Sequence, residues 1–170
     1  MGDAGGSRRS RVGVTGHRSL ADPAGVRVAV DVVLDRLDPP LTAVSSLAEG
    51  ADRLVARAVL DRPEGRLVAL LPLEPDDYVA DFADEASCEE FNELLAAADE
   101  VRVIAPPAPD DGSREAAYER AGRAVLEGCD VLVALWDGGP GRGRGGTAEL
   151  VAEARERGRW VVVVDVERAP

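Results

Sequence analysis

The sequence predicts an α/β fold, a single Rossmann-like and doubly wound sheet of about six mainly parallel strands flanked by helices. Short apolar runs rich in Val and Leu alternate along the chain with longer stretches whose apolar residues recur at helical spacing. The runs are almost continuously apolar, which is typical of strands buried on both faces of a parallel sheet. Aromatic residues make up only 4% of the chain, so the core is expected to consist mainly of Val, Ala and Leu.

Strands and helices are predicted in strict alternation, each from its own pattern. The strand-like runs occupy residues 11–14, 41–47, 66–73, 101–106, 130–136 and 160–166. Apolar residues three and four positions apart predict helices over residues 24–37, 51–61, 87–100, 114–128 and 147–158. Residues 1–10, rich in Gly, Ser and Arg, are predicted to be a disordered tail, and residues 11–170 to form a single domain. The pattern does not predict the order of the strands in the sheet.

The charge of the chain bears on its partners. The formal net charge is −12, and the chain contains no Lys, so every basic side chain except His is Arg. Exclusive use of Arg indicates codon bias from a GC-rich genome, for which a bacterial source is expected. An acidic surface repels phosphate backbones at long range, so no nucleic-acid partner is expected. Any anionic ligand has to be bound by local donors that act against this field.

The sulfur and imidazole side chains exclude several kinds of site. Cys88 and Cys129 are too few for a disulfide framework, and both are expected to be small packing residues in a reducing compartment. His17 is the only histidine, so neither a metal site nor a required cofactor is expected. No apolar run reaches the ~20 residues of a membrane span, and no export signal is evident. A cytoplasmic protein without membrane contact is predicted.

In a doubly wound sheet a ligand lies beyond the carboxyl ends of the strands, so the loops that follow the strands are the candidate sites. The first loop begins with Thr15, Gly16, His17 and Arg18. Gly16 permits a close approach of the backbone to a ligand, Thr15 adds a hydroxyl, and His17 and Arg18 can face an anion. We assign these four residues to a binding site, although a short turn with a solvated Arg would leave the same pattern.

The second loop contains Glu49, Gly50, Ala51 and Asp52. Gly50 interrupts the strand, and the helix that begins at Ala51 offers free N-terminal amides to an anion. Glu49 and Asp52 are either helix caps or acceptors for ribose hydroxyls or a base edge. Capping alone would account for Asp52, whereas Glu49 is harder to assign to structure, and both interpretations stay open.

The loop after the fifth predicted strand has the composition of an anion-binding turn. Trp136 and Asp137 end the strand, and a segment rich in Gly, Pro and Arg leads to Gly145 and Gly146, directly before Thr147. Adjacent glycines let main-chain N–H groups turn toward a phosphate at the positive end of a helix. Thr147 is predicted to be the N-cap and a hydroxyl donor, and Trp136 and Asp137 to contact base and sugar.

Arg142 and Arg144 lie in the same loop and are predicted to close over the bound charge. Residues 141–146 also fit G-x-G-x-x-G, with Asp165 about 20 residues further on, as in a dinucleotide-binding fingerprint. In that fingerprint the first Gly follows the strand directly, whereas here residues 137–140 intervene. The chain also ends soon after Asp165, so a full dehydrogenase fold is not expected.

The third and fourth loops carry weaker patterns. The third is long and acidic, and its Tyr78 and Phe82 suggest a flap that packs on a base or on the sheet edge. Phe82 is expected to pack in the core, and Tyr78 is a candidate for stacking on a ligand. The fourth, residues 105–113, is predicted to be a connector in which Ser113 is the N-cap of the next helix.

Four segments together resemble the SLOG superfamily, the Rossmann-like group that contains the Lonely Guy (LOG) enzymes and the DNA-processing protein A domain. They are VGVTGHRSL, SSLAEGADRLVA, CDVLVALWDG and GGTAELVAEA. The resemblance covers nearly the whole chain, and its most specific element is Gly-Gly-Thr at residues 145–147. It implies a small-molecule nucleotide ligand, such as ADP-ribose, NAD or a nucleoside monophosphate, held by a phosphate-binding loop. It also implies hydrolysis of an N-glycosidic bond in the enzymatic branch, and a possible homodimer.

The chain departs from the enzymatic branch at its catalytic positions. That branch carries a Glu three residues after the Thr, where this chain has Leu150. Glu149 lies about 100° around the helix from that position. The branch also uses a helical Arg, and the spacing of Arg120 and Arg123 does not match it. Glu149, Glu49, Arg120 and Arg123 are therefore weak catalytic candidates. We predict a ligand sensor, with a nucleoside 5'-monophosphate phosphoribohydrolase as the alternative.

Overall fold

A computed structural model gives the structure of residues 10–105, 112–141 and 145–170. The strands are β1 (Ser10–Gly16), β2 (Leu41–Ser45), β3 (Arg66–Leu71), β4 (Glu100–Val103), β5 (Val131–Trp136) and β6 (Trp160–Asp165). They form one sheet in which all neighbouring strands are parallel, in the order β4-β3-β2-β1-β5-β6. The predicted Rossmann-like α/β sheet of parallel strands is confirmed.

Six α-helices connect the strands: α1 (Pro23–Leu34), α2 (Ala51–Leu60), α3 (Pro75–Tyr78), α4 (Glu85–Ala97), α5 (Arg114–Glu127) and α6 (Thr147–Glu156). All predicted helices are present, and the short α3 with a following 3₁₀ turn at Val79–Asp81 lies in the third loop, where none was predicted. Ser113 is the N-cap of α5, as expected, and its Oγ accepts from the Ala116 N–H at 3.0 Å.

The first strand begins one residue earlier than the sequence predicts. Ser10 was assigned to the tail but is the first residue of β1, where its N–H donates to the Pro40 carbonyl at 3.2 Å. Residues 1–9, the rest of the predicted tail, lie outside the described part of the chain. The same holds for residues 106–111 of the fourth loop and for Arg142 and Arg144.

Helices cover both faces of the central strands β1, β2, β3 and β5, which explains their continuous apolar runs. The edge strands β4 and β6 are largely exposed, so the expectation of burial on both faces is wrong for them. α1, α2 and α4 pack on one face, where Val30 and Phe91 belong to the same buried cluster as Val12. α5 and α6 pack on the other, where Val125 and Val44 belong to a separate buried cluster. Because successive side chains of a strand point to opposite faces, both sets of positions have to be apolar.

The two cysteines are free, and Cys129 lies in the core beneath α6. Its Sγ would be 2.6 Å from a Cβ at Gly13, so the glycine of β1 provides the space that the sulfur fills. Burial raises the pKa of the Cys129 thiol to about 11. Cys129 is therefore a packing residue, as expected.

The third loop is a packed segment rather than a flap with a free aromatic. The Tyr78 ring is fully buried, 4.9 Å from the Phe82 ring and 5.6 Å from the Phe91 ring in edge contacts. The guanidinium of buried Arg53 lies 4.4 Å from the centre of the Phe82 ring. Stacking of Tyr78 on a ligand was therefore a wrong expectation, because its ring faces are covered by the protein's own aromatic core.

Among the described helices, none has the length and apolar content needed to cross a bilayer.

Candidate functional site

The order of the strands indicates where a ligand would bind, at the carboxyl edge of the sheet between β1 and β5. β1 lies between β2 and β5, and the chain moves outward from β1 to β4 before it crosses back to β5. The loops that follow β1 and β5 therefore leave the sheet toward opposite sides. Gly16 at the end of β1 pairs with Leu135 of β5, so the crevice between these loops starts beside Gly16.

Two cavities open at this point and share the start of α6. The inner cavity, about 310 Å³, lies between the ends of β1 and β2 and the helix α5, and the outer cavity, about 400 Å³, extends toward the end of β5. Both are lined by Gly16, Arg18, Gly146 and Thr147. The inner cavity is also lined by Thr15, Ser46, Ala48, Asp52, Glu115, Tyr118, Gly122 and Gly145. The outer cavity adds His17, Ser19, Trp136, Ala148 and Arg168.

The Thr hydroxyls and the start of α6 meet where the two cavities join. The Thr15 hydroxyl donates to Thr147 Oγ1 at 3.4 Å, although the two residues are far apart in the chain. Gly146 is the N-cap of α6 and makes no side-chain capping bond. The prediction of Thr147 as the N-cap is wrong, because the backbone already turns into the helix at Thr147 and places its hydroxyl beside Thr15.

One main-chain amide at the start of α6 donates to a protein carboxylate, and the next three are left for a ligand in the cavities. The Gly145 N–H donates to Glu149 Oε2 at 2.7 Å, so one predicted anion donor is occupied by the protein's own carboxylate. The amides of Gly146, Thr147 and Ala148 have no hydrogen-bond partner within the described residues. Helix N-termini leave such donors for a ligand or for water.

Gly145 also has a structural function. Its φ is +73°, and a Cβ there would lie 2.7 Å from Glu119 Cα on α5. A side chain at this position would push the start of α6 away from α5, which walls the inner cavity. The glycine that was predicted for ligand contact is thus required by the packing of the loop as well.

His17 and Asp137 belong to a polar network with Arg168. His17 Nε2 accepts from the Asp137 N–H at 3.1 Å and lies 3.2 Å from Asp137 Oδ1, while Arg168 Nε donates to Asp137 Oδ2 at 2.8 Å. Arg168 reaches this place because Ala169 N–H donates to the Ser19 carbonyl, which holds the last residues against the first loop. Sequence reasoning did not include Arg168, since no motif marks it.

Asp137→Asn is expected to destabilise the protein in a pH-dependent way. The Gly139 N–H, and then Arg168 and His17, lower the pKa of Asp137 to about 2. A carboxyl with a depressed folded pKa stabilises the fold above its unfolded pKa and loses this effect as the pH falls toward its folded pKa. The melting temperature of the variant should therefore be below wild type at neutral pH, with a difference that shrinks as the pH falls from about 5 to about 2. Asp76→Asn, an exposed carboxylate without an ion pair in the described residues, is the control, and a pH-independent difference would contradict this assignment.

Arg18 and Trp136 face the cavities in different ways. The Arg18 guanidinium lies 5.1 Å from the centre of the Tyr118 ring, and no carboxylate pairs with it within the described residues. Its charge is thus available to both cavities. The Trp136 indole N–H donates to the Gly139 carbonyl at 3.0 Å, which fixes the ring in the wall of the outer cavity.

Gly50 and Ala51 join two loops instead of facing a ligand. The Ala51 N–H donates to the His17 carbonyl at 3.0 Å. Gly50 has a φ of +74°, and a Cβ there would lie 2.5 Å from the carbonyl oxygens of both His17 and Arg18. The amide that was expected to bind an anion is consumed by the backbone of the first loop.

The two acids of the second loop have separate places. Glu49 Oε1 accepts from the Ala83 N–H at 2.9 Å and from the Ser87 hydroxyl, so it ties the start of α4 to this loop and lines neither cavity. Asp52 is 5% exposed and lines the inner cavity, where its Oδ2 accepts from Ser46 Oγ at 2.7 Å. Asp52 is not a helix cap, because Gly50 is the N-cap of α2 and no side chain caps it.

The weak catalytic candidates do not form a group. Glu149 is bonded to Gly145, Glu49 points to α4, and Arg123 pairs with Glu119 and Glu153 on the outer side of α5. Arg120 and Arg123 line neither cavity. Sequence reasoning missed Tyr118, Ser46 and Arg168. Tyr118 lies on a face of α5 that only the tertiary structure turns toward the site, and Arg168 belongs to no motif. Ser46 lies within a quoted segment, but no role was assigned to it there.

Comparison with proteins of known structure supports the fold described above. No protein-family model matches the sequence, and no curated protein matches it. Among solved structures, the chain is similar to the X-ray structure of DNA processing protein A (DprA) from Streptococcus pneumoniae, with a TM-score of 0.64 and 21% sequence identity. The match covers 91% of this chain and 50% of that chain, so this chain spans about half the length of its neighbour. The resemblance inferred from the motifs is confirmed at the level of the fold.

The exclusion of nucleic acid as a partner is wrong as an inference from charge. The solved structure reported above, which has the same fold, is that of a DNA processing protein. Salt screens the field of a net charge within about 10 Å, so the formal charge of −12 does not determine what local donors bind. Arg18, with no carboxylate paired to it in the described residues, is an example of such a donor.

Proposed function

We propose that the chain is a cytoplasmic SLOG-type binding module that holds a nucleotide-derived anion at the start of α6 and acts as a ligand sensor. The observation that carries this proposal is the meeting of the Thr15 and Thr147 hydroxyls beside three helix-start amides without a protein partner among the described residues. Hydroxyl and amide donors at a helix N-terminus suit a phosphate group. Arg18 supplies a positive charge at the same point.

Because the two cavities meet at the start of α6, they favour a ligand whose charged group lies between two uncharged parts. The amides of Gly146 and Thr147 are shared, while the inner and outer cavities extend from them in different directions. A ligand of the ADP-ribose or NAD type carries phosphates between two organic groups and could occupy both cavities. A nucleoside monophosphate would fill only one of them. The larger ligand class is therefore our first choice.

A sensor is favoured over a hydrolase because the predicted acids are engaged elsewhere. Glu149 binds the Gly145 amide and Glu49 binds the start of α4. One observation supports the alternative, a phosphoribohydrolase: buried Asp52 lines the inner cavity, and burial raises its pKa above the usual range of an Asp. A carboxyl in such surroundings can serve in acid–base chemistry.

The test combines binding with a search for product. ADP-ribose, NAD, AMP and inorganic pyrophosphate are titrated by calorimetry, and release of free base is followed by chromatography. A ligand present at about 100 times its dissociation constant should stabilise the fold by about 2.7 kcal/mol. Binding without base release supports the sensor, base release supports the hydrolase, and no binding of any of these compounds contradicts both.

Thr147→Val tests the position of the site. Loss of a hydrogen bond to a charged group costs about 1.5–3 kcal/mol, so the affinity for pyrophosphate should fall at least about tenfold. Valine keeps the shape of threonine, and Thr42→Val removes a buried hydroxyl from β2, away from both cavities, as a matched control. Equal affinities of the two variants would place the anion elsewhere.

A further inference from the structure

The two edges of the sheet differ in how they are protected from pairing with another strand. An edge strand leaves a row of N–H and C=O groups without a partner, and short length and charged side chains keep such an edge from adding a further strand. β4 has four residues, and its Glu100 and Arg102 place both kinds of charge on that edge. β6 has six residues, of which residues 160–164 are all apolar. β6 is therefore the edge that lacks this protection.

The outer side of β6 has no partner within the described residues. There β5 is its one neighbour in the sheet, and no hydrogen bond joins residues 160–165 to any described segment other than β5. Trp160 is 59% exposed and Val163 is 40% exposed, and the two side chains lie on opposite faces of the sheet. Exposed apolar side chains along an unpaired edge mark an interaction surface.

The two ends of this edge carry opposite charges. Arg159 lies directly before β6, Asp165 is its last residue, and both are exposed. In the described part of the chain neither forms an ion pair, and Arg159 Nη1 donates to the Cys129 carbonyl at 3.3 Å. A strand with a cation at its start and an anion at its end is complementary to a copy of itself that runs in the opposite direction.

The alternation of a strand limits the registers in which two copies of β6 can pair. Every second residue turns its main-chain groups outward, so residues that face each other across the two strands have both odd or both even numbers. The register centred on Val162 satisfies this condition over the whole strand. It brings together Arg159 and Asp165, Trp160 and Val164, and Val161 and Val163. Each facing pair is then either apolar or of opposite charge, which stabilises an antiparallel ladder.

We propose that the edge of β6 binds the same edge of a second copy of this chain, with the strands antiparallel and Val162 on the twofold axis. The two six-stranded sheets then continue into one another, and neither copy keeps β6 as an open edge. The resemblance implies a homodimer without a surface, and β6 supplies one that does not depend on any ligand. Because the strands are antiparallel, the carboxyl edges of the two copies face opposite ways.

Reversal of the two charges tests both the surface and its register. In sedimentation velocity at about 100 µM the wild-type chain should be a dimer, with a dissociation constant of about 10 µM or less. Arg159→Glu sets two carboxylates against each other at both ends of the ladder, and Asp165→Arg does the same with two guanidiniums. Each variant alone should therefore raise the dissociation constant at least about tenfold. An equimolar mixture of the two should regain wild-type affinity, because both pairs of the mixed dimer again have opposite charges.

Arg102→Glu is the matched control, the same charge change on the other edge strand, and it should leave the dissociation constant unchanged. The mixture also separates a lost contact from a misfolded variant, since misfolded chains would not pair with each other. A wild-type chain that stays monomeric at about 100 µM would overturn the proposal. So would a dimer that Arg102→Glu weakens, or one that neither single variant weakens or that the mixture does not restore.

Discussion

Replacing Gly50 by Ala is expected to lower the free energy of unfolding by about 3 kcal/mol, a large share of the stability of an ordinary domain. The φ of +74° at this residue strains any side chain, and strain of this kind costs about 1–2 kcal/mol. The added Cβ would also lie 2.5 Å from the carbonyl oxygens of His17 and Arg18. Both contacts are with backbone atoms, so overpacking adds about 1–3 kcal/mol. Urea denaturation measures the loss, and the melting temperature should fall by about 6–12 °C.

Gly138→Ala is the matched control for this substitution. Gly138 has nearly the same φ, +75°, but no atom lies within 4 Å of the position that its Cβ would take. The control should therefore show the conformational cost alone, about 1 kcal/mol. Equal losses in the two variants would mean that the loops after β1 and β2 are not in the close contact described above.

Glu149→Gln is expected to raise the affinity for inorganic pyrophosphate about tenfold. The Glu149 carboxylate accepts from the Gly145 N–H at 2.7 Å and so sits beside the amides to which we assign the anion. Two negative charges about 6 Å apart repel each other by about 2–3 kcal/mol at an effective dielectric constant of 20. Screening by solvent at this exposed residue reduces the gain to about 1.4 kcal/mol, which corresponds to tenfold.

The stability of this variant should change in the opposite direction. An acid in the first turn of a helix stabilises it by about 0.3–1 kcal/mol, and the neutral Gln loses that contribution. A variant with a lower melting temperature and a higher affinity for pyrophosphate is hard to explain unless the Glu149 carboxylate and the ligand compete for the start of α6. Glu156→Gln, the same charge change in the last turn of α6, should leave affinity unchanged. A fall in affinity for Glu149→Gln would instead mean that Glu149 helps to bind the ligand.

The sheet and its flanking helices were predictable because their patterns depend on burial alone. Val12, Val44 and Val133 are apolar since each faces a layer of helices, and a continuous apolar run records that fact directly. The site loops were predictable in position, because Thr15 and Thr147 follow strands and ligands collect at strand ends. The order of the strands left no trace in the sequence, since every crossover helix has the same amphipathic pattern.

Individual side chains of the site were less predictable, because their partners are distant in the chain. Glu49 was left open between cap and ligand, and its partners Ala83 and Ser87 lie on another element. Asp52 was left open between the same two roles, and the structure rules out capping, because the helix starts at a glycine and the carboxyl turns inward. Arg168 carries no motif at all. Local spacing reports which loop a residue occupies, not the direction in which tertiary packing turns it.

The bond from the Ala51 amide to the His17 carbonyl has a further consequence. Together with the close approach at Gly50, it holds the loops that follow β1 and β2 against each other. A compound that enters the crevice finds this wall already assembled and loses little conformational entropy in docking against it. Association should then approach the encounter rate of a preformed pocket, and crystals of the empty protein should accept small fragments by soaking without cracking.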